Sequence, residues 1–357
     1  MPAMRLPFTH RAPPAISLAL QGGGAHGAFT WGVLDALIER GVDVAALSGA
    51  SAGAMNAVVL AQGWMHAGAD GARAALHAFW RAVAARVPPL WHLPGDPPQL
   101  APLGHALLAW TRWLAPTQLN PLDLNPLRDV LTAQVDFERL RATRGIALFI
   151  AATEVARGRL RLLRRADITL DGVLASACLP TVSHPVLLDE RAHWDGAFTA
   201  NPALLPLVRE VGADDLLLVT LSPLGEAAPP TTAQAIAERV AEIAFVAPFL
   251  REARTLAELQ ADAMQRGWPR CGLDRRLARL RWHLIDGDDT LASMPGATRL
   301  LPDWTFLQGL RDAGRLRVAQ WWDTSASALG RRSSVDALAL FGEAAGGVSD
   351  RRRARTA

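Results

Sequence analysis

Short apolar runs alternate with longer amphipathic segments along this chain. Four of the runs have the length and composition of buried strands: 16–20, 44–48, 146–153 and 216–221. Between the first two, apolar residues recur at helical spacing from about 27 to 40, and Gly41 follows as a stop signal. This alternation of strands and helices predicts an α/β fold with a mainly parallel central sheet.

The remaining elements follow from the same patterns. A helix of small residues is predicted at about 52–62, and residues 160–163 are expected to form a hairpin with the preceding strand. Residues 186–188 are expected in a loop region. The elements predicted after residue 165 are helices at about 170–178, 233–266, 304–324 and 335–341, and a late strand at 279–285.

Composition divides the chain into four parts. Residues 1–14 are expected to be a flexible, proline-containing leader, and residues 15–225 an α/β domain. Within that domain, residues at about 64–144 are rich in Trp, Pro and Leu and predict a helical insertion. A mainly helical extension is expected at 226–345, and a basic, disordered tail at 346–357.

Charge and composition exclude several classes of protein. The formal net charge is +3, which is too small to indicate a nucleic-acid partner. The chain contains no lysine, which excludes a Walker A loop, a Schiff-base enzyme and a Ser-Lys dyad, because each needs an amine. The two cysteines, Cys178 and Cys271, are too few for a disulfide scaffold and are expected to be packed.

The sequence shows neither an export signal nor a membrane span. Residues 1–20 lack the continuous apolar stretch of a signal peptide. No apolar run reaches the roughly 18 residues that a membrane span needs. The protein is therefore expected to be cytoplasmic, with peripheral contact to a membrane left open.

The residues after the second predicted strand read Gly49-Ala50-Ser51-Ala52-Gly53. This is the pattern of a nucleophile elbow, in which a sharp strand-to-helix turn exposes a reactive serine. Small neighbours are needed because the turn brings backbone segments close together, and only Gly and Ala surround Ser51 here. The helix that follows favours developing negative charge at its N-terminus. The alternative is a tight turn at a helix start that carries no chemistry.

A second glycine motif, Gly22-Gly23-Gly24-Ala25-His26-Gly27, follows the first predicted strand. Its spacing also fits a dinucleotide-binding loop, and Asp43 lies about 20 residues further on. However, the ribose-binding acid belongs at the end of the second strand, where this chain has Gly49-Ala50-Ser51. An oxyanion hole fits better, because consecutive glycines expose backbone N–H groups that stabilise a developing alkoxide.

A serine nucleophile needs a base, and the histidines are poorly placed to supply one. Of the nine histidines, only His283 lies late in the chain, where the order of a Ser-Asp-His triad requires it. It falls inside a predicted strand and is expected to be a core or edge residue. Asp195 is a better candidate because it ends a short extended run before Gly196, although an Asp-Gly pair is most often only a turn.

These motifs, completed by Asp195-Gly196-Ala197, resemble in their order those of the patatin-like phospholipase family. The small-residue stretch at 175–180 and the sequence from Asp195 to Pro202 are also similar to family patterns. The resemblance covers about residues 16–221 and implies a patatin-like three-layer α/β/α fold. The C-terminal part looks like the extension of some bacterial members, which would make 15–225 the catalytic domain.

The resemblance implies a Ser-Asp dyad instead of a triad. By motif position, Ser51 is the nucleophile and Asp195 is the general base. The N–H groups that form the oxyanion hole are those of Gly22, Gly23 and Gly24. The supporting motif positions are Gly27, Gly49, Gly53 and Gly196. A free aspartate has a pKa near 3.9, so burial must raise the pKa of Asp195 for it to act near neutral pH. The scheme requires neither a metal nor a cofactor.

This chain departs from the family at His26, where Arg or Lys is common. A histidine makes a cationic role at this position dependent on pH, since its ordinary pKa is near 6.5. The alternative is that His26 caps or packs at the helix start.

The expected function is a serine-dependent lipid acyl hydrolase that acts on an ester with an apolar acyl chain through an acyl-Ser51 intermediate. The helical insertion would be either a cap that builds an acyl pocket or an ordinary covering layer for the sheet. Two alternatives stay open: an acyltransferase that uses the same acyl-Ser51, and a non-catalytic lipid-binding regulator.

Overall fold

The computed structural model describes residues 15–88, 91–111, 113–224, 229–265 and 272–342. The predicted leader at 1–14, the predicted tail at 346–357 and Cys271 lie outside the described residues. The strands are β1 (Ile16–Leu20), β2 (Val44–Gly49), β3 (His92–Leu93), β4 (Gln99–Leu100), β5 (Ala147–Glu154), β6 (Arg159–Arg164), β7 (Val186–Leu188), β8 (Arg191–Asp195), β9 (Asp215–Thr220) and β10 (Arg281–Asp286). The α-helices are α1 (Gly27–Glu39), α2 (Ala52–Ala84), α3 (Pro102–Trp110), α4 (Pro116–Leu119), α5 (Pro126–Gln134), α6 (Phe137–Ala142), α7 (Leu170–Ser176), α8 (Leu205–Glu210), α9 (Ala233–Gln265), α10 (Gly272–Arg279), α11 (Asp288–Leu291), α12 (Trp304–Ser325) and α13 (Ala337–Phe341).

A central sheet organises the described residues. Its strand order is β10-β9-β1-β2-β5-β8-β7, and β6 pairs with β5 outside this path. The strands from β10 to β5 run parallel to their neighbours, whereas β6, β7 and β8 pair in antiparallel fashion. The prediction of an α/β fold with a mainly parallel sheet is confirmed.

Helices cover both faces of the sheet. Leu18 and Leu20 of β1 pack into a core shared with α1, α2 and α12. Ala19 of the same strand faces the opposite side and packs with residues of α8, α9 and α13. Because successive side chains of a strand point to opposite faces, β1 contributes to both cores. The chain therefore forms three layers, helices on each side of one sheet.

Helix α2 is longer than the helix predicted at 52–62 and contains a reversal. Ala67 and Gly68 leave the helical conformation, with a φ of 60° at Gly68. The second half of α2 then returns along the first, and Gly63 lies against the backbone of the returning half. This reversal brings residues of the predicted insertion back beside the start of α2, where Ser51 lies.

The C-terminal part shares the sheet and the cores. Strand β10 pairs with β9 in parallel, although it comes from the segment predicted to be a mainly helical extension. Helix α12 packs along α1, where Gly32 and Gly314 allow the two backbones to approach closely. The predicted boundary at residue 225 therefore separates segments that are continuous in the sheet.

Three local predictions are wrong. Val186–Leu188, expected in a loop, forms β7 because it pairs with β8 in a hairpin. Helix α10 was not predicted. Because it extends to Arg279, the late strand predicted at 279–285 begins at Arg281. The last helix begins at Ala337, because Asp336 caps it and accepts a hydrogen bond from the N–H of Ala339.

Candidate active site

Ser51 lies between the end of β2 and the first residue of α2. Its backbone has a φ of 52° and a ψ of −125°, a conformation that costs free energy for a residue with a Cβ. Two hydrogen bonds hold it there, from the Ser51 N–H to the carbonyl oxygen of Ser176 at 3.0 Å and to its Oγ at 3.1 Å. The Ser51 side chain makes no capping bond to α2. The turn therefore fixes the backbone and leaves the hydroxyl for other contacts.

Glycine is required around this turn because backbone segments pass very close to one another. A Cβ on Gly22 would lie 2.8 Å from the Cβ of Ser51. A Cβ on Gly53 would collide with the backbone carbonyl of Leu20 in β1. The other supporting positions that a Cβ would overfill are Gly27, Gly49 and Gly196. A larger residue at any of these positions would force neighbouring backbone or side-chain atoms around the turn to shift.

Asp195 is the last residue of β8 and is fully buried. It lies opposite Ala152 of β5, and its N–H donates to the carbonyl oxygen of Cys178 at 2.8 Å. Its Oδ1 accepts a hydrogen bond from the N–H of Ala197 at 2.9 Å. Its Oδ2 has no hydrogen-bond partner among the described residues. One carboxylate oxygen is thus fixed by the turn, and the other is held in place without a partner.

Burial raises the pKa of Asp195 to about 7. The Ala197 N–H and the Ser51 hydroxyl act in the opposite direction and lower the pKa, because both favour the charged carboxylate. Ser51 and Asp195 are distant in the sequence, yet the fold places the serine hydroxyl near enough to affect the pKa of the carboxylate.

The glycine loop lies beside Ser51, but its first N–H group is already used. The N–H of Gly22 donates to Oδ1 of Asn201 at 2.7 Å, so the expectation that it serves the oxyanion hole does not fit this structure. The N–H groups of Gly23 and Gly24 form no hydrogen bond with the described residues. Gly24 is exposed and has a φ of 59°, which suits glycine. Two candidate oxyanion donors remain, on Gly23 and Gly24.

Asn201 anchors this loop from a distant part of the chain. It is buried, and its Nδ2 donates to the carbonyl oxygen of Phe245 at 3.2 Å while Oδ1 holds Gly22. In the sequence, Asn201 stands out only as part of the segment from Asp195 to Pro202 that is similar to a family pattern. A long-range bond of this kind has no signal in local sequence, because the partner is set by the fold.

His26 packs in the protein interior. Its Nε2 lies 2.7 Å from Oγ1 of Thr298, and its side chain does not cap α1. Burial, and next the positive charge of Arg299, lower the pKa of His26 to about 3. The imidazole is therefore neutral at ordinary pH and supplies no cation to the glycine loop.

His283 is remote from Ser51 and is fully buried in β10. Its Nε2 lies 2.9 Å from Oδ1 of Asp215, and its Nδ1 lies 3.0 Å from Oγ of Ser334. Both ring nitrogens are engaged in the sheet, as expected for a core histidine.

An apolar cavity of about 340 Å³ opens at Ser51. The glycine loop contributes Gly24 and Ala25 to its wall, next to the serine. Most of the wall is apolar and includes, from the predicted insertion, Phe79, Trp80, Trp91, Leu127 and Val130. The insertion thus forms much of the wall of the cavity that contains the candidate nucleophile.

None of the described helices combines the length and the apolar character needed to cross a bilayer. Among the described residues, no group of three or more His, Cys, Asp or Glu side chains is placed to hold a metal ion. Cys178 is a buried free cysteine, and burial raises the pKa of its thiol to about 11.

A serine at a strand-to-helix turn, a glycine loop and a buried carboxylate at one edge of an α/β/α sheet are features of the serine acyl hydrolases. A family model described as patatin-like phospholipase matches residues 18–208, more than half of the chain. The protein belongs to the patatin-like phospholipase family, and this membership supports a lipid acyl hydrolase activity.

Two solved structures have low similarity to this chain. VipD from Legionella pneumophila is 14% identical with a TM-score of 0.35, over 85% of this chain and 67% of that one. The heterodimeric ExoU–SpcU complex from the type III secretion system of Pseudomonas aeruginosa is 19% identical with a TM-score of 0.28, over 96% and 83%. No curated protein matches the chain.

Proposed function

We propose that this protein is a serine-dependent lipid acyl hydrolase in which Ser51 is the nucleophile and Asp195 is the general base. The observation that carries the proposal is the buried Oδ2 of Asp195, which has no hydrogen-bond partner among the described residues, in a carboxyl group whose pKa the Ser51 hydroxyl lowers. Ser51 itself lines the apolar cavity. A buried carboxylate oxygen without a partner is costly for stability, and such groups occur where chemistry requires them.

The reaction begins when Asp195 accepts the proton of Ser51 Oγ and the serine oxygen attacks the ester carbonyl. The negative charge of the tetrahedral intermediate forms beside the N–H groups of Gly23 and Gly24. The intermediate collapses, the carbonyl re-forms, and the leaving alcohol takes the proton from Asp195. The products of this half-reaction are an alcohol and acyl-Ser51.

Asp195 acts as base a second time. It accepts a proton from a water molecule, whose oxygen attacks the acyl-Ser51 carbonyl. When this second tetrahedral intermediate collapses, Ser51 Oγ leaves with the proton from Asp195, and a fatty acid is released. The raised pKa of Asp195, about 7, suits both roles, since a base whose pKa is near the working pH accepts and returns a proton readily.

The cavity is the proposed site of the acyl chain. The cavity wall is mostly apolar and includes Ser51. An acyl chain bound in the cavity would therefore place its ester carbonyl next to the Ser51 hydroxyl. Burial of an acyl chain there contributes about 0.8 kcal/mol per methylene group. This proposal gives the helical insertion the role of a cap over the acyl pocket.

Five large apolar side chains between residues 103 and 124 are exposed, and we assign them to contact with a lipid surface. The surface cluster consists of Leu103, Trp110, Trp113, Leu122 and Leu124, each at least half exposed. It lies directly before Asn125, Pro126 and Leu127, which line the cavity. Large exposed apolar patches mark interaction surfaces, and tryptophan favours the boundary between water and lipid.

Fluorophosphonate labelling with peptide mapping tests the proposal. The probe is expected to label Ser51 in the wild type, to leave Ser51→Ala unlabelled, and to label folded Asp195→Asn far more slowly. Wild-type labelling rates in folded Asp195→Asn would rule out the dyad, and absence of Ser51 labelling in folded wild type would leave a non-catalytic protein. Product analysis with a competing alcohol then separates a hydrolase from an acyltransferase.

A further inference from the structure

Arg299 lies in the wall of the cavity that contains Ser51. It belongs to a 3-10 turn, Gly296–Leu300, well outside the residues that match the family model. The backbone carbonyl of Arg299 lies against Gly24, leaving no space for a Cβ there. The turn therefore rests on the glycine loop, and the Arg299 side chain is 31% exposed.

Hydrogen bonds on both sides hold this turn in position. On the side of the glycine loop, Oγ1 of Thr298 lies 2.7 Å from Nε2 of His26. On the side of the insertion, the carbonyl oxygen of Leu300 accepts a hydrogen bond from Nε1 of Trp91 at 3.2 Å. Arg299 lies between these two attachments, so its position relative to the cavity is fixed by the fold.

Among the described residues that line the cavity, the charged ones are all cations. They are Arg299 and Arg86, and no carboxylate is present in the wall. The guanidinium of Arg86 is already engaged, because it binds Oδ2 of Asp129 at 2.6 Å. Arg299 is therefore the cation that is left to meet a ligand near the glycine loop.

The ion pair that Arg299 forms with a described residue is a long one. Arg299 makes no hydrogen bond with any described residue, and the carboxylate within ion-pair distance is Glu242 at 3.9 Å. The other oxygen of Glu242 binds Arg239 at 2.7 Å. Burial lowers the pKa of Arg299, and the nearby carboxylate of Glu242 acts in the opposite direction. A partly buried guanidinium on a fixed turn, without a hydrogen-bond acceptor among the described residues, can bind an anion through charge-assisted hydrogen bonds.

We propose that Arg299 binds a phosphate group of the substrate next to the scissile ester, so that the enzyme selects phosphate-bearing lipids over neutral acylglycerols. The inference rests on the proposed function, because it assumes that the acyl chain occupies the cavity. Guanidinium and phosphate are matched in geometry and form paired, charge-assisted hydrogen bonds. Residues outside the matched family region thereby set substrate preference.

Binding of non-hydrolysable ligands tests this proposal without turnover. The probes are 1-O-octylglycerol 3-phosphate, 1-O-octylglycerol and inorganic phosphate, used below micelle-forming concentrations and followed by calorimetry. The variants are Arg299→Gln and Arg299→Lys, with Arg161→Gln as a matched control. Arg161 is an exposed arginine of β6 that forms an ion pair with Asp189 at 3.1 Å. Thermal unfolding checks that each variant is folded.

In the wild type and in Arg161→Gln, we expect the octylglycerol phosphate to bind about 10-fold or more tightly than octylglycerol, the gain from charge-assisted hydrogen bonds. Arg299→Gln should remove this difference and leave octylglycerol binding unchanged, and Arg299→Lys should keep part of it. Equal binding of the two lipids to the wild type, or a difference that survives in Arg299→Gln, would overturn the proposal.

Inorganic phosphate distinguishes a lipid headgroup from a free anion. It is expected to bind at least about 10-fold more weakly than the lipid phosphate, because it lacks the apolar chain. Equally tight binding would overturn the assignment to a lipid. Failure of Ser51 to react with a fluorophosphonate would refute the hydrolase proposal alone, since the binding measurements need no reaction at Ser51.

Discussion

The backbone N–H of Gly22 donates to Oδ1 of Asn201 at 2.7 Å, which joins the glycine loop to a segment 179 residues further along the chain. Both residues are buried, and a Cβ on Gly22 would meet Ser51. The bond therefore sets the position of the loop relative to the nucleophile. Asn201 acts on the site by holding the loop that carries the two proposed oxyanion donors.

Asn201→Ala is predicted to lower kcat about 10-fold or more, with a smaller effect on KM, because displaced oxyanion donors weaken transition-state binding. It also leaves the buried N–H of Gly22 without an acceptor, at a cost of about 1–3 kcal/mol in unfolding free energy. Steady-state kinetics on a medium-chain ester and chemical denaturation measure the two effects. Gln234→Ala, which removes an exposed side chain that bonds Glu238 within α9, is the control. An unchanged kcat in folded Asn201→Ala would contradict this role.

Activity is predicted to rise with pH through about 7 and to level off above it. Asp195 accepts the proton of Ser51 only in its charged form, and burial raises its pKa to about 7. The rate of Ser51 labelling by a fluorophosphonate, measured from pH 5 to 9, should follow this single ionisation. Asp195→Asn should label about 100-fold or more slowly and show no rise near pH 7. A rise of the same shape in the variant would assign the ionisation to another group.

Asp195→Asn is predicted to be more stable than the wild type at pH 8. The raised pKa means that, between about pH 4 and 7, the folded state retains a proton that the unfolded state has lost. Wild-type stability therefore falls as pH rises through this window, whereas the neutral amide of the variant has no such titration. We expect a gain of roughly 1–3 kcal/mol at pH 8 that disappears near pH 4. Denaturant unfolding at both pH values measures it, and a variant less stable at pH 8 would contradict the burial argument.

The sequence alone predicted the parts of the site that depend on local geometry. A strand-to-helix turn at Ser51 requires small residues on both sides of the serine, and the sequence has Gly and Ala there. The glycine loop and the turn after Asp195 are also local sequence patterns. The predictions missed the parts that tertiary contacts decide. The late strand was predicted as an element, but its pairing with β9 and the packing of Arg299 on the glycine loop have no local signal. The donor role expected for Gly22 failed for the same reason, since its partner is remote.

The buried side chain of His26 is predicted to make the protein less stable as pH falls, whereas Asp195 makes it less stable as pH rises. The pKa of His26 is lowered to about 3, so below about pH 6.5 the unfolded state binds a proton that the folded state refuses. Wild-type stability is therefore present above this pH and is lost as pH falls toward 3. His26→Gln removes the titration and should flatten the dependence between pH 6.5 and 4, at up to about 1.4 kcal/mol per pH unit. Unfolding curves that keep the wild-type slope in this variant would show that His26 is not responsible.

Contact with a lipid surface is predicted to depend on the exposed apolar cluster at 103–124. Trp113 is 86% exposed and Leu122 is 78% exposed, beside the chain segment that lines the cavity. The double variant Trp113→Ser/Leu122→Ser should bind phospholipid vesicles at least about 10-fold more weakly, because burial of each large apolar side chain contributes about 1.5–3 kcal/mol. Vesicle sedimentation measures this binding.

The control for this cluster replaces exposed apolar residues elsewhere on the molecule. Leu316→Ser/Leu338→Ser changes side chains that are 60% and 45% exposed on α12 and α13, away from the cavity wall. It should bind vesicles like the wild type. Both double variants should hydrolyse a water-soluble short-chain ester at the wild-type rate, because neither touches Ser51 or Asp195. Equal loss of vesicle binding in the two variants would show that the contact is general hydrophobic adhesion and would refute a docking role for 103–124.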